Sequence, residues 1–243
     1  ICVTTYMTAG SEIEIGPPVE VGRAGGRLWF ATLHGLGERS LLCEATLAED
    51  KGQGEWPATL FLSRDLGDSW ERKLDIPSYG MGSTQIGPGK TLLQPYELWP
   101  SKPGERREAV ARGSIVEEDP QGELRLTRTP VNFHGFPRDI QDYNRDQLLV
   151  LTNGPLLPLP DGRIFGTVYG KFVGDARLGL WAVASEDNGF TWRFLSIVAG
   201  SDVAPGAKEG PNEATVALLA DGRLLCIFRV AGRRPFWKSF SED

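Results

Sequence analysis

The stretch Ser185-Glu186-Asp187-Asn188-Gly189-Phe190-Thr191-Trp192 decides how the rest of the chain is read. It separates two apolar runs, Leu180-Trp181-Ala182-Val183-Ala184 and Phe194-Leu195-Ser196-Ile197-Val198. Ser and Asp side chains bond nearby backbone N–H groups, and Asn-Gly tolerates positive φ, so this is turn chemistry between two hairpin strands. Thr191 and Trp192 then re-enter a strand, the indole serving as a large apolar anchor. A second copy reads Ser63-Arg64-Asp65-Leu66-Gly67-Asp68-Ser69-Trp70, and Ser241-Glu242-Asp243 has the form of a third opening.

A second signal recurs beside the first: a glycine, a basic residue, then a strand. It occurs at Gly26-Arg27-Leu28-Trp29-Phe30, Gly89-Lys90-Thr91-Leu92-Leu93, Gly162-Arg163-Ile164-Phe165 and Gly222-Arg223-Leu224-Leu225. The interval is about sixty to seventy residues, the scale of a structural repeat. In the second unit Ser114-Ile115-Val116-Glu117-Glu118-Asp119 stands where the turn motif should fall, without its Gly and Trp. Two hairpin-like turns per unit predict four short antiparallel strands per unit, the pattern of a β-propeller blade; a β-sandwich with coincidental turns is the competing reading. The fold class expected is therefore all-β. Residues 1–243 would form one partial propeller with about four blades of a six-bladed ring, the C-terminal part lying beyond Asp243. The one short helix expected lies near Glu105-Arg106-Arg107-Glu108-Ala109-Val110.

Composition bounds the function. With 40% apolar residues the chain buries a sizeable core, and 30 Gly with 17 Pro suit many strands and turns. A net charge of −6 argues against nucleic acid as a partner. No uninterrupted apolar stretch is long enough for a membrane span, and no targeting signal is legible, so the compartment stays unknown. Cys2, Cys43 and Cys226 are widely spaced with no CxxC, which reads as buried thiols rather than a metal site. No cofactor is implied. His34 and His134 read as isolated hydrogen-bonding residues.

The turn Ser-x-Asp-x-Gly-x-Thr-Trp resembles the Asp-box of sialidases and related propellers, where it sits on the outer side of each blade and marks the fold. The run Glu209-Gly210-Pro211-Asn212-Glu213-Ala214-Thr215-Val216 through Asp221-Gly222-Arg223-Leu224-Leu225 to Arg229 is similar to a sialidase segment that joins a glutamate to an arginine. Gly154-Pro155-Leu156-Leu157-Pro158-Leu159-Pro160-Asp161-Gly162-Arg163 resembles the segment one blade earlier. The resemblance implies an exo-glycosidase that releases terminal sialic acid or a related anionic sugar from a glycan. It is retaining, with a tyrosine nucleophile that the glutamate activates. It would make Glu213 catalytic and Arg229 one of three arginines that bind the substrate carboxylate. The tyrosine and the third arginine would lie outside these residues. The first arginine belongs to an Arg-Ile-Pro segment about ten residues before the first turn glycine; measured from Gly26 that place reads Ile15-Gly16-Pro17-Pro18-Val19, without arginine. The family's acid/base aspartate, in a first-blade loop, would fall on Asp50.

The chemistry is self-consistent. The substrate already carries a carboxylate, so an anionic carboxylate nucleophile would be repelled where a tyrosine is not. Arginine reads a carboxylate by two parallel N–H bonds. A strand out from Glu213 and a return through Asp221-Gly222 would bring Arg229 back to the same end. The position seven after each glycine holds Leu33, Tyr96, Tyr169 and Arg229, so Tyr96 and Tyr169 are candidates to line the same mouth. Two other functions stay open: a non-catalytic propeller that binds glycan or protein, and a hydrolase with a carboxylate pair.

Overall fold

A computed structural model describes residues 16–25, 28–47, 56–142, 150–232 and 234–242. Every regular element in it is a strand. The first unit is β1 (Trp29–Gly35), β2 (Leu41–Thr46), β3 (Ala58–Ser63) and β4 (Glu71–Ile76), antiparallel in that order. The second holds β5 (Gly80–Gly87), β6 (Lys90–Pro95), the short β7 (Glu97–Pro100), β8 (Ala109–Glu118) and β9 (Leu124–His134), with β5-β6-β8-β9 as its four strands. After β10 (Ile140–Gln141) come β11 (Val150–Pro158), β12 (Ile164–Phe172), β13 (Gly179–Ser185) and β14 (Thr191–Ala199). The fourth unit is β15 (Asn212–Leu218), β16 (Leu224–Arg229) and β17 (Trp237–Phe240). The leading strands of successive units touch: β1 with β5, β5 with β11, β11 with β15. That is the blade arrangement of a β-propeller.

Why these segments become strands is visible in burial. All residues of β3 and of β13 are buried, as expected when both faces of a blade are covered by neighbours. The three apolar clusters lie mainly between units rather than within them. One joins the second and third through Phe133, Phe136, Phe172, Trp181 and Trp192. One joins the third and fourth through Tyr169, Leu180, Ala214 and Phe228, and one the first and second through Trp56, Leu60, Tyr79 and Leu93. Units two and three are also continuous in hydrogen bonding, because β7 pairs both β8 and β11 and because β14 runs parallel to β9 at Thr191–Arg193. Cys43 and Cys226 are buried free thiols. No helix among the described residues is long and apolar enough to cross a membrane.

The two turn motifs fold alike. Ser63 Oγ donates to Asp65 Oδ1 at 2.7 Å and Ser185 Oγ to Asp187 Oδ1 at 2.8 Å. Gly67 N–H and Gly189 N–H both return to the serine oxygen at 2.8 Å, and the indole N–H groups of Trp70 and Trp192 reach Gly67 O and Gly189 O. Leu66 and Asn188 hold the same left-handed backbone, φ 61° and 60°.

The motif at 185–192 is also held from outside its own unit. The Thr84 hydroxyl donates to Asn188 O at 2.7 Å and the Gln94 amide to Gly189 O at 2.6 Å, while the Trp192 ring stacks on Phe133, so the turn is clasped by the second unit while Glu186, Asp187 and Asn188 stay exposed. Three expectations need correction. Ser114 is no turn residue; it is buried in mid-β8, and the reversal comes later, where Asp119 Oδ1 accepts from the N–H groups of Gln121 and Glu123. No helix forms near 105–110. Glu105 turns its carboxylate onto the N–H groups of Arg106 and Arg107, and β8 starts at Ala109. Finally, the hairpin of the first unit is not at Gly26, which lies outside the described residues with Arg27. It is at Gly35–Ser40, where Leu36 N–H and Gly37 N–H both reach Ser40 O. Leu33 therefore sits on a leading strand, whereas Tyr96, Tyr169 and Arg229 belong to second strands or their ends.

Candidate functional site

The site starts from a glycine. Gly210 has φ 92°, and a Cβ there would stand 2.5 Å from Leu178 O, so only glycine lets the chain lie on that loop. Leu178 N–H bonds Glu209 O at 2.7 Å, which anchors the entry to β15. One strand away, Gly154 (φ 75°) likewise leaves room for Ala214 O, so β11 presses directly on β15.

β15 then opens with a bulge. Asn212 pairs with Arg229 and Ala214 with Phe228, leaving Glu213 as the extra residue, at φ 39°. A bulge re-aims the side chain it carries. Here it sets the Glu213 Oε2 atom 2.8 Å from Arg229 Nε, as the return through Asp221-Gly222 was expected to do. The same Nε donates to Asn212 Oδ1 at 3.0 Å, and Nη2 of Arg229 donates to Glu209 Oε2 at 3.2 Å. Asn212 Nδ2 also donates to Glu209 Oε2 at 3.2 Å. Asn212 is 1% exposed, whereas the side chains of Arg229, Glu209 and Glu213 are 41%, 44% and 44% exposed. A buried amide thus steers a guanidinium whose outer side, with both carboxylates, meets solvent.

Tyr96 and Tyr169 also come together, hydroxyl to hydroxyl at 2.6 Å. Both pack in the cluster between the third and fourth units that contains Ala214 and Phe228, Tyr169 at 3% exposure and Tyr96 partly exposed. Asp50 lies outside the described residues. Among the described residues no group of three or more His, Cys, Asp or Glu side chains has the arrangement of a metal site.

Some features escaped the sequence. Glu209 and Asn212 were part of the quoted run, and the Gly-Pro between them is a signal for a fixed strand entry. His34 is not isolated: its Nε2 is 3.1 Å from Glu44 Oε2 and its Nδ1 is 3.0 Å from Ser83 Oγ, and Glu44 Oε1 accepts Gly80 N–H at 2.8 Å. Burial pushes the Glu44 carboxyl upward, against the pull of His34 and of the Gly80 N–H. In the first unit, Phe30 repeats the geometry of Glu213, left-handed at φ 49° in a register shift at the start of a leading strand.

No family model matches the chain, and no curated protein matches it. Solved structures do. A protein of unknown function from Dyadobacter fermentans superposes with TM-score 0.61 at 16% identity, over 89% of this chain and 66% of that one. The sialidase of Trypanosoma rangeli, solved with the inhibitor DANA, gives 0.53 at 19% identity over 89% of this chain and 37% of its own. An α-L-arabinofuranosidase of Fusarium graminearum, solved with an iminosugar inhibitor, gives 0.50 at 13% over 89% and 63%. What they share is the fold. The chain spans about two thirds of the first of these proteins and less of the other two.

Proposed function

We infer that this chain is part of a sialidase-like exo-glycosidase that removes a terminal anionic sugar, sialic acid or a relative, from a glycan. The observation that carries this reading is the Glu213–Arg229 contact, 2.8 Å, on a bulge at the solvent-facing end of adjacent strands. The resemblance drawn from the sequence assigns a base and a carboxylate ligand to those two positions.

Each residue then has a task. Arg229 presents a planar fork to the sugar carboxylate, and the buried Asn212 holds that fork in one orientation. Glu213 accepts the proton of a tyrosine nucleophile supplied from outside these residues. The attacking oxygen is then a phenolate rather than a carboxylate, which suits a substrate that is itself anionic. An acid/base aspartate, the role given to Asp50, protonates the glycosidic oxygen as its bond to the sugar breaks, and then takes a proton from the water that cleaves the tyrosyl–sugar bond. A third arginine comes from outside these residues. Tyr96, with its partly exposed ring, contacts the sugar, and Tyr169 positions Tyr96 through the shared hydroxyl bond.

In the complete protein, hydrolysis of a fluorogenic sialoside should fall about 10²- to 10⁴-fold in Glu213→Ala, the range for loss of a general base. Unchanged turnover removes Glu213 from the site. One observation favours a second reading, a propeller that binds glycan or protein without cleaving it: Arg229 already carries two carboxylate partners. Under that reading the sialoside is bound and not turned over.

A further inference from the structure

Glu209 makes the contact that a bound carboxylate would make. One oxygen, Oε2, accepts from Arg229 Nη2 at 3.2 Å and from Asn212 Nδ2 at 3.2 Å. A charged N–H donor and an amide donor converging on a single oxygen is the way a protein seats an external carboxylate. We propose that Glu209 is a built-in competitor, an internal carboxylate that fills the Arg229–Asn212 anion seat until a ligand carboxylate displaces it. This rests on reading Arg229 as the carboxylate ligand of the site.

Three observations separate Glu209 from an ordinary ion-pair partner. The seat does not depend on it, because buried Asn212 fixes the guanidinium through Oδ1 and Nε at 3.0 Å. Its main chain is tied down by the Leu178 N–H bond and by Gly210, so the side chain stays in reach after displacement. Its carboxylate, 44% exposed, is held by exposed contacts, which are weak enough for a ligand to exchange. Glu213 behaves differently. Its contact with Nε, at 2.8 Å, does not use Glu209 or the amide N–H of Asn212, so emptying the seat leaves the Glu213–Arg229 contact standing. One carboxylate is the permanent partner and the other is exchangeable. The consequence is selectivity, since only an anion that matches both donors gains on displacing Glu209, while a neutral sugar meets a filled seat.

The test is titration of the chain with acetate and then with N-acetylneuraminic acid at constant ionic strength, following the Arg229 Nε–H resonance, assigned by its loss in Arg229→Lys. Glu209→Ala and the isosteric Glu209→Gln should bind acetate about two- to fivefold more tightly than the wild type, the fold-change of one exposed ion pair. Glu213→Gln removes the same charge from the same guanidinium with the seat still filled, and should change the acetate Kd less than twofold. Thermal melts of the two Glu209 variants show that they are folded. Equal affinity in wild type and both Glu209 variants overturns the proposal. So does an equal gain in Glu213→Gln, or no response of Arg229 to any anion in any variant. If the Glu209 variants gain for acetate but N-acetylneuraminic acid never binds, the competitor stands and the sialic acid reading falls.

Discussion

Glu213 holds its carboxylate at the cost of its backbone. A residue with a Cβ at φ 39° is strained by about 1–2 kcal/mol, and nothing in its own side chain offsets this as an Asn or Asp would. Replacing Glu213 by Ala removes the carboxylate and keeps the strain; replacing it by Gly removes both. Glu213→Gly should therefore be more stable than Glu213→Ala by about 0.5–1 kcal/mol, after allowing for the greater freedom of glycine in the unfolded chain. Urea unfolding of the two variants measures this, and an alanine variant as stable as the glycine one removes the strain. The pairing of Glu213 with Arg229 was legible because a tight Asp-Gly turn folds a strand back on itself and returns its end to its beginning. The bulge was not legible, since a bulge shows only in how two strands register. Without it Glu213 would point away from Arg229, as alternation along β15 requires. Glu209 was hidden for a related reason: its partner is set by where Gly210 lies against Leu178, a contact between distant loops.

At the scale of the element, the two Ser-x-Asp turns are nearly identical inside and different outside. The hydrogen bonds of Ser69 to its carboxylate come first among the pulls that bring Asp65 down to about 2. Asp187 is also lowered, although burial pushes it up, because the N–H of Thr191 and the hydroxyl of Ser185 outweigh that burial. A carboxyl lowered in the folded state stabilises above its unfolded value and loses that contribution as pH falls toward the folded value. The turn of Asp65 should thus weaken between about pH 4 and 2 and the turn of Asp187 as pH falls below the usual carboxylate range, and an asparagine at either position should flatten that part of an acid-unfolding curve. Their neutral-pH costs should differ. The turn at 185–192 is clasped by Thr84 and Gln94 and anchors a Trp192 that is 1% exposed, whereas Trp70 is half-buried. Asp187→Ala should cost about 0.5–1.5 kcal/mol through the lost hydrogen bonds from the Thr191 N–H and the Ser185 hydroxyl, and Asp65→Ala should cost less. Equal shifts in urea midpoint would mean the clasp adds nothing. Turn chemistry is local and was legible at both sites; the clasp joins residues a hundred positions apart and was not.

At the scale of the molecule, the regular spacing of glycine turns served units two to four and slipped in unit one. Gly26-Arg27-Leu28 repeats the letters of the other turns, but the true hairpin, Gly35–Ser40, lacks the Gly-basic-apolar order. The blades were nonetheless countable, because strand-turn periodicity survives one misplaced turn. What joins the blades is less visible, and the seam between units one and two shows why. There Glu44 on β2, fully buried, links His34 on β1 to the Gly80 N–H on β5, and His34 reaches Ser83 on β5. Nothing local in Leu-Leu-Cys-Glu-Ala-Thr announces a buried carboxyl. Its pKa is raised by burial, so the folded chain keeps a proton that the unfolded chain gives up above about 4.5. Stability is then lost as pH rises through the interval between the unfolded and folded values, the reverse of the turn aspartates. Glu44→Gln keeps the shape and the hydrogen-bonding oxygen without the ionisation, so its stability relative to the wild type should grow from pH 4.5 to pH 8. Glu44→Ala leaves the Gly80 N–H and the imidazole Nε2 unpaired beside a cavity, and should cost about 2–4 kcal/mol at pH 4.5 and less at pH 8. Parallel urea-unfolding profiles for the wild type and Glu44→Gln across that range would show that the seam carries no retained proton.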